Sequence, residues 1–310
     1  MRLLRLTNYL LGHRAIAILL VFCITFVPMI GIIGILYAGL ITLRKGIIEG
    51  GIFTLAATLP YVASFYLSGG HAEDAPLIIL AAIGIAVLSN VLTWIFASML
   101  KRQVSWSNLI QIAALMGVLF VSIAHLINPS IAAWWGAQLQ LYYTKAAALT
   151  SIAANKALVS PETQLETIAI TKQYATGLMT MAILFNAILQ LIVARWWQAA
   201  MFYPGLLRRE LHTIRLSQLA SGLFVLGLIF AYLGNSVALD IMPILYMLFG
   251  MAGLSLIHYL FGLLTQPTKW FWLWLMYIAF FISLPTSLLL VGIFALADAG
   301  FDIRHRVKKV

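Results

Sequence analysis

Long apolar runs follow one another along almost the whole chain, and they constrain its fold more than any other feature. Six of them are continuous enough to cross a bilayer as single helices, which takes about 20 apolar residues each. They cover residues 47–67, 76–99, 107–128, 174–194, 217–238 and 241–264. Membrane-spanning β-strands would instead alternate apolar and polar residues in units of about ten. The pattern predicts an all-α, polytopic integral membrane helical bundle.

The composition supports this class and excludes soluble ones. Of the 310 residues, 63% are hydrophobic and 9% are charged, against about 25% charged in an ordinary soluble domain. So few charges cannot cover a water-soluble protein of this size. A soluble enzyme and a nucleic-acid-binding module are therefore excluded, despite the net charge of +10. The partner that the composition predicts is the lipid bilayer.

Two further apolar runs, 15–43 and 270–298, are too long for one straight crossing. Each has 29 residues, which as a helix would measure about 43 Å against a hydrocarbon core of about 30 Å. Each carries a proline near its middle, Pro28 and Pro285. Each run is therefore either one long, tilted and kinked helix or a hairpin-like pair of short segments.

The positive charges favour the hairpin-like pairs. Lysine and arginine in short loops prefer the cytoplasmic side. With both runs as pairs and the N-terminus inside, 16 of the 19 lysines and arginines fall inside. A single crossing at 270–298 would leave 12 inside and 7 outside. The sequence thus predicts one transmembrane domain over 1–310, with eight to ten segments, in a bacterial inner membrane with both termini cytoplasmic.

Residues 129–173 form the one sizeable stretch predicted outside the membrane. Trp134 and Trp135 are typical of the headgroup level. Pro161 followed by Glu162 is typical of a first helical turn, where an acidic side chain meets the positive end of the helix dipole. We expect a periplasmic insertion of two helices here.

Acidic residues are few, and each lies in a loop or at the end of a segment. Proton-coupled carriers usually place a carboxylate near the bilayer midplane, so their positions argue against a carboxylate-based proton relay. No catalytic constellation, cofactor motif or metal-ligand spacing is found, and Cys23 is the only cysteine. We expect no enzymatic activity, no cofactor and no metal. The acidic residues are Glu49, Glu73, Asp74, Glu162, Glu166, Glu210, Asp240, Asp298 and Asp302.

Four strongly hydrogen-bonding residues lie inside the apolar segments: Asn90, Asn186, Gln190 and His258. Such groups need partners in hydrocarbon. One interpretation is a set of interhelical hydrogen bonds, each contributing about 0.6–2 kcal/mol. The other is a substrate-binding pocket lined by all four. His125 lies near the outer end of its segment, where an interfacial position is expected.

The most distinctive stretch follows the 174–194 segment. Paired tryptophans, a Pro-Gly turn and a charged cluster come within about twenty residues. The stretch is either a membrane anchor with a positive-inside signal or a coupling element that contacts a partner. Within the charged cluster, Glu210 is expected to pair with the arginines beside it. Its candidate residues are Arg195, Trp196, Trp197, Gln198, Pro204, Gly205, Arg208, Glu210, His212 and Arg215.

With this motif the chain resembles the YybS-like family of uncharacterised bacterial inner-membrane proteins, in its proteobacterial form. The exit of the first long run, Leu43 to Gly46, and the glutamine-rich segment before the motif are similar too. Leu206 and Leu207 stand where that family usually has an aromatic residue. The family is similar in topology to the S-components of energy-coupling-factor transporters. The resemblance implies a small-molecule-binding subunit that depends on a partner energising module.

The function predicted is therefore small-molecule binding or transport, S-component-like and without an ATPase of its own. The alternative is a non-transporting scaffold that assembles other proteins of the cell envelope. A membrane enzyme that acts on lipid ranks last, because the sequence offers no catalytic constellation. A cavity with convergent polar groups would favour binding. An apolar core with every polar group paired would favour the scaffold.

Overall fold

The computed structural model describes residues 2–27, 30–67, 76–151, 160–264 and 266–307, and every regular element in these ranges is an α-helix. The predicted all-α class is confirmed. In chain order the helices are α1 (Arg2–Gly12), α2 (Arg14–Thr25), α3 (Ile32–Lys45), α4 (Ile47–Leu67), α5 (Pro76–Lys101), α6 (Trp106–Ile127), α7 (Ile131–Ser151), α8 (Pro161–Thr171), α9 (Ala175–Phe202), α10 (Leu206–Leu211), α11 (Gln218–Tyr232), α12 (Ser236–Phe261), α13 (Gln266–Ile282), α14 (Leu284–Phe301) and α15 (Ile303–Val307).

Five helices in the described ranges are long and apolar enough to cross a membrane: α4, α5, α6, α9 and α12. They correspond to five of the six long runs of the sequence. Shorter apolar helices lie at Arg14–Thr25, Gln218–Tyr232, Thr268–Ile282 and Thr286–Phe301. The chain is thus a helical membrane protein, while the count of eight to ten segments stays a prediction. Met1 and Val310, whose location was also predicted, lie outside the described residues.

The sixth long run, 217–238, ends earlier than the hydropathy indicates. Helix α11 has 15 residues and stops before Gly234, which adopts the left-handed φ of +82°. The side chain of Asn235 then caps α12 by accepting a hydrogen bond from the Ala238 N–H at 2.9 Å. A glycine in the left-handed region and an asparagine cap end one helix and begin the next. As a result, Asp240 lies inside α12 and not in a loop before it.

The first 29-residue run is divided into α2 and α3, which lie against each other. A Cβ atom at Gly31 would be 2.8 Å from the Thr25 carbonyl oxygen, and one at Gly34 would be 2.7 Å from Thr25 Oγ1. Further along, Lys45 Nζ donates to the Leu11 carbonyl. The start of α3 therefore meets the end of α2, and the end of α3 meets α1. The two halves of the run are antiparallel, as the hairpin interpretation requires.

The second run is divided as well, at Ser283 between α13 and α14. Pro285 stands in the first turn of α14, a position where its missing N–H costs no helical hydrogen bond. Helix α14 then packs along α12. A Cβ atom would be 2.7 Å from Leu288 Cδ1 at Gly250, and 2.1 Å from the Val291 carbonyl oxygen at Gly253. Glycine at both positions lets the two helices approach closely.

The helices group into two compact units. The first unit comprises Met1–Ile110 and Ile183–Ile214, and the second comprises Gln111–Ala182 and Arg215–Val310. In the predicted insertion, the described residues form α7 and α8 of the second unit, which matches the expectation of two helices.

In the first unit, α3, α4 and α5 pack in series and α9 joins α5. Gly46, with φ of +119°, turns the chain between α3 and α4, and Gly50 packs directly on Thr42. Across the α5–α9 interface, Ser89 Oγ donates to the Ile183 carbonyl at 3.4 Å and Thr93 Oγ1 to the Ala187 carbonyl at 3.3 Å. From the first bond to the second, the donor and the acceptor each move four residues towards the C-terminus. Helices α5 and α9 are therefore parallel.

Candidate functional site

Two of the four predicted binding residues form hydrogen bonds inside the first unit. Asn90 is 3% exposed, and its Nδ2 donates to Thr58 Oγ1 at 3.1 Å across the α4–α5 interface. Gln190 is 5% exposed, and its Oε1 accepts from Thr93 Oγ1 at 2.6 Å across the α5–α9 interface. These contacts match the interhelical interpretation. Asn186 is half-buried on α9, one turn before Gln190.

His258, the fourth candidate, lies on α12 of the second unit. Its Nε2 is 2.8 Å from the hydroxyl of Tyr277 on α13, and the two rings stand 6.0 Å apart between centroids. This contact joins two consecutive helices, as the bonds of Asn90 and Gln190 join neighbouring ones. A pocket shared by all four residues stays a prediction.

A large cavity lies within the second unit, between α6, α11 and α12. Its volume is about 490 Å³, within the range of about 300–1,000 Å³ typical of ligand sites. Its wall runs from Gln111 to Val118 on α6, from Ala220 to Phe230 on α11, and from the cap residue Asn235 to Leu248 along α12. None of the four candidate residues lines it.

The cavity is long and apolar. Its α11 wall runs over ten helical steps, from Ala220 to Phe230, and its α12 wall over thirteen, from Asn235 to Leu248. These correspond to about 15 and 20 Å at the helical rise. The polar lining residues are Gln111 and Asn235. Gln111 Oε1 accepts from the Ser217 hydroxyl at 2.6 Å, and the Asn235 oxygen caps α12. Both side-chain oxygens therefore accept hydrogen bonds from within the protein, and the wall between these two residues is apolar.

One side of the cavity is open. The side chains that line this side are each 51–54% exposed: Leu115, Leu223, Leu226 and Phe230. Gly227 stands opposite Met242 and Leu245, since a Cβ there would lie 3.0 and 3.1 Å from the ends of those side chains. Sequence reasoning missed this site because its residues are aliphatic, like those of any membrane helix.

A buried acid–base pair joins three helix ends in the second unit. His125 near the end of α6 is 8% exposed, and Asp240 near the start of α12 is 2% exposed. His125 Nε2 lies 2.9 Å from Asp240 Oδ2. The other oxygen, Oδ1, accepts the Gly177 N–H from the first turn of α9 at 2.7 Å. A Cβ at Gly177 would lie 1.6 Å from the Asp240 carbonyl oxygen, so only glycine fits here.

This pair adds a contact that the sequence analysis did not predict. His125 was expected at the interface, and Asp240 was counted among acids at segment ends. Both residues do lie near helix ends, but the ends are packed against one another and exclude solvent. The position of an acid along an apolar segment does not show whether that end is covered. The short Gly-Asn cap before α12 was the available signal that Asp240 is helical.

In the first unit, Glu210 and Arg195 form a second ion pair. Arg195 Nε donates to Glu210 Oε2 at 3.0 Å and Arg195 Nη2 contacts Oε1. Trp106 Nε1 also donates to Oε2 at 3.0 Å. Burial by itself would raise the pKa of Glu210, but the hydrogen bonds from Arg195 and Trp106 and the charge of Arg195 hold that pKa below its usual value. We call these three residues the Arg195–Glu210 latch.

The latch changes the interpretation of the distinctive stretch. Glu210 was expected to pair with the arginines beside it, yet its oxygens are bound by Arg195 and Trp106. Gly205, with φ of +82°, turns the chain after α9, so that α10 folds back and brings Glu210 to Arg195. Gln198, which is 4% exposed, accepts from Arg195 Nη1 through its Oε1 and is thus a second partner of Arg195.

The remaining residues of the stretch have different surroundings. Trp196 is 56% exposed, whereas Trp197 packs near Tyr37 and its Nε1 contacts Met201 Sδ at 3.1 Å. Arg208 is exposed together with Arg209, Pro204 and Gly205, and His212 is half-buried.

Arg215 belongs to the second unit and forms part of another charged cluster. Its Nη1 lies 2.9 Å from Asp302 Oδ1, and its Nη2 donates to the Asp298 carbonyl at 3.1 Å. Asp298 is 2% exposed and binds Arg304 at 2.9 Å. Burial lowers the pKa of Arg304, and the carboxylate of Asp298 counters this in part.

Comparison with known proteins returned no match, whether to a family model, to a curated protein or to a solved structure. The geometry of the chain itself therefore carries the functional argument.

Proposed function

We propose that this protein is a small-molecule-binding or transport subunit of a bacterial inner membrane, without an ATPase of its own. The cavity between α6, α11 and α12 carries the proposal. Its volume of about 490 Å³ is that of a ligand site, and it lies on two helices that are long and apolar enough to cross a membrane.

The shape of the cavity indicates the class of ligand. A wall about 15–20 Å long with apolar sides suits a molecule with a hydrocarbon chain better than a compact polar vitamin. The half-exposed side, formed by Leu115, Leu223, Leu226 and Phe230, suits entry from the bilayer. For the predicted S-component-like role, the ligand we propose is therefore an apolar or amphipathic small molecule.

The proposed orientation places both termini and the Arg195–Glu210 latch on the cytoplasmic side. Two basic residues of the first unit support it, because they meet around the end of α3. Lys101 Nζ donates to the Leu43 and Arg44 carbonyls at 3.2 and 3.1 Å, and Arg44 stacks 3.9 Å from the Phe202 ring centre. Such a cluster is typical of the cytoplasmic face. The exposed Arg208 and Arg209 would there meet a partner subunit that supplies energy.

A scaffold of the cell envelope is the second candidate. The paired polar groups of the first unit favour it, since Asn90 bonds to Thr58 and Gln190 to Thr93. Interfaces of this kind hold helices together and leave no need for a ligand.

Filling the cavity tests the proposal. The double variant Ala220→Leu/Ala238→Leu places two larger side chains on the cavity wall. The control Ala182→Leu makes the same change at an exposed position that does not line it. Each protein is measured in nanodiscs with an uncharged, pyrene-labelled long-chain alcohol. We expect the filled variant to bind this probe at least tenfold more weakly than the wild type, while the control binds it normally.

Equal binding by the filled variant and the wild type would contradict the proposal. Native mass spectrometry of gently extracted protein separates the two candidates. A retained small apolar molecule supports the binding subunit. A retained protein partner with no small molecule supports the scaffold.

A further inference from the structure

We infer that the buried pair of His125 and Asp240 is a proton-binding site whose occupancy controls ligand binding in the cavity. Proton binding is inferred from the geometry of the pair, whereas control of ligand binding rests on the proposed function. Proton uptake there has a direct physical consequence, because the pair is excluded from water.

The charge balance of the pair depends on one proton. With a neutral imidazole and an ionised carboxylate, the site holds one net negative charge. One added proton brings the net charge to zero, whichever of the two groups carries it. Because the two groups are in direct contact, the pair binds and releases this proton as one unit. Histidine is the side chain that changes charge in the physiological pH range.

The helix ends around the pair favour the form with the proton on His125. The Asp240 carboxylate accepts the Gly177 N–H at the start of α9, where the helix dipole favours negative charge. His125 lies in the last turn of α6, where the dipole favours positive charge. The protonated site is therefore an ion pair that holds the end of α6 to the start of α12.

Few other titratable groups stand on the elements that meet at the pair. His125 is the one titratable residue of α6, and α9 carries Arg195, about five turns further on. The remaining titratable residues of α12 are Tyr246, His258 and Tyr259. Lys172 and Tyr174 precede α9 in the chain. Helix α7, whose Trp135 donates to Thr176 at 3.0 Å, carries Tyr142, Tyr143 and Lys145.

The pair is connected to the cavity by the helices that carry it. Val118 on the cavity wall lies two turns before His125 on α6, and Ala238 and Ile241 on the wall flank Asp240 on α12. A bond between His125 and Asp240 thus fixes the spacing of two cavity walls. Loss of the proton weakens this bond from an ion pair to a hydrogen bond and lets the walls separate.

The first measurement is the proton itself. Histidine-selective ¹⁵N NMR of the full chain in nanodiscs follows each imidazole, and His125→Gln identifies the His125 signal. Glutamine keeps an N–H donor but cannot take up a proton. We expect the His125 signal to differ between pH 8 and pH 5, the two conditions of the binding measurement below. A signal that stays constant over this range overturns the inference.

The second measurement is binding of the uncharged pyrene-labelled alcohol at pH 8 and pH 5, since its own charge does not change. We expect the wild type to bind it at least fivefold more tightly at pH 8, a coupling of usual allosteric size. His125→Gln and Asp240→Asn should show less than a twofold difference. His13→Gln, at an exposed histidine of the first unit, should behave as wild type.

The outcomes separate the two proposals. Binding by the wild type that does not depend on pH overturns the proton linkage and leaves the proposed function standing. Failure of the wild type to bind the alcohol at either pH overturns the proposed function, whatever the NMR titration shows.

Discussion

Two helix interfaces, α3–α4 in the first unit and α11–α12 in the second, use glycine for opposite purposes. At Gly50 a Cβ would lie 1.9 Å from Thr42 Oγ1 and 2.8 Å from Thr42 Cα, so glycine lets two backbones touch. At Gly227 a Cβ would meet only the ends of Met242 and Leu245, at 3.0 and 3.1 Å. There the missing side chain leaves room beside a cavity. The first interface is closed by backbone contact, whereas the second borders the cavity at this position.

The largest expected change in stability comes from adding a methyl group to the α3–α4 interface, and the same change at the α11–α12 interface is the comparison. Gly50→Ala should reduce the free energy of unfolding by about 1–3 kcal/mol, because the backbone of α3 has to move away from α4. Gly227→Ala should change it by less than about 1 kcal/mol, since flexible side chains can shift. Unfolding in mixed micelles measures both. Gly222→Ala, where a Cβ would meet nothing within 4 Å, is the control. Equal losses at Gly50 and Gly227 would remove the contrast between the interfaces.

A smaller effect is expected at the Arg195–Glu210 latch, where the closed packing of the first unit includes a charge. The pKa of Glu210 is lower in the folded protein than its usual value. The stability that this pair contributes is therefore present above the usual carboxyl pKa and is lost as the pH falls through the lowered one. Glu210→Gln should remove about 1 kcal/mol at pH 7 and leave stability unchanged at the acid end.

The measurement for the latch is the unfolding free energy of both proteins from pH 7 down to pH 3. The two curves should converge as the pH falls. Arg195→Lys is the matched variant, because it keeps the charge and loses the two-pronged contact. Parallel curves over the whole range would show that the pair adds no acid-sensitive stability.

The smallest effect on stability is expected at Arg208 and Arg209, which are exposed beside the latch. Arg208→Ala/Arg209→Ala should change the free energy of unfolding by less than about 0.5 kcal/mol, as for most surface changes. If this surface binds an energising partner, co-purification of that partner should fall while the latch stays intact. Undiminished co-purification would mean that the stretch only anchors the chain.

The sequence by itself determined the class of this protein. Apolar surroundings require every backbone polar group to bond within the chain, and continuous apolar runs can meet this requirement only as helices. The all-α fold follows from that rule. For the runs at 15–43 and 270–298, the sequence left both a single kinked helix and a hairpin-like pair open, and the positive charges favoured the pair. The resemblance to transporter subunits and the eight to ten segments remain predictions.

The tertiary structure decided which residues meet. His125 and Asp240 are 115 residues apart in the chain, and Trp106 and Glu210 are 104 apart. Their pairing depends on how helix ends pack, which hydropathy does not encode. The position of the cavity also depends on packing. The hydropathy pattern of aliphatic residues is the same whether they face lipid, a neighbouring helix or an empty space. Packing alone separates these cases, since it sets the distance between helices that the sequence describes one at a time.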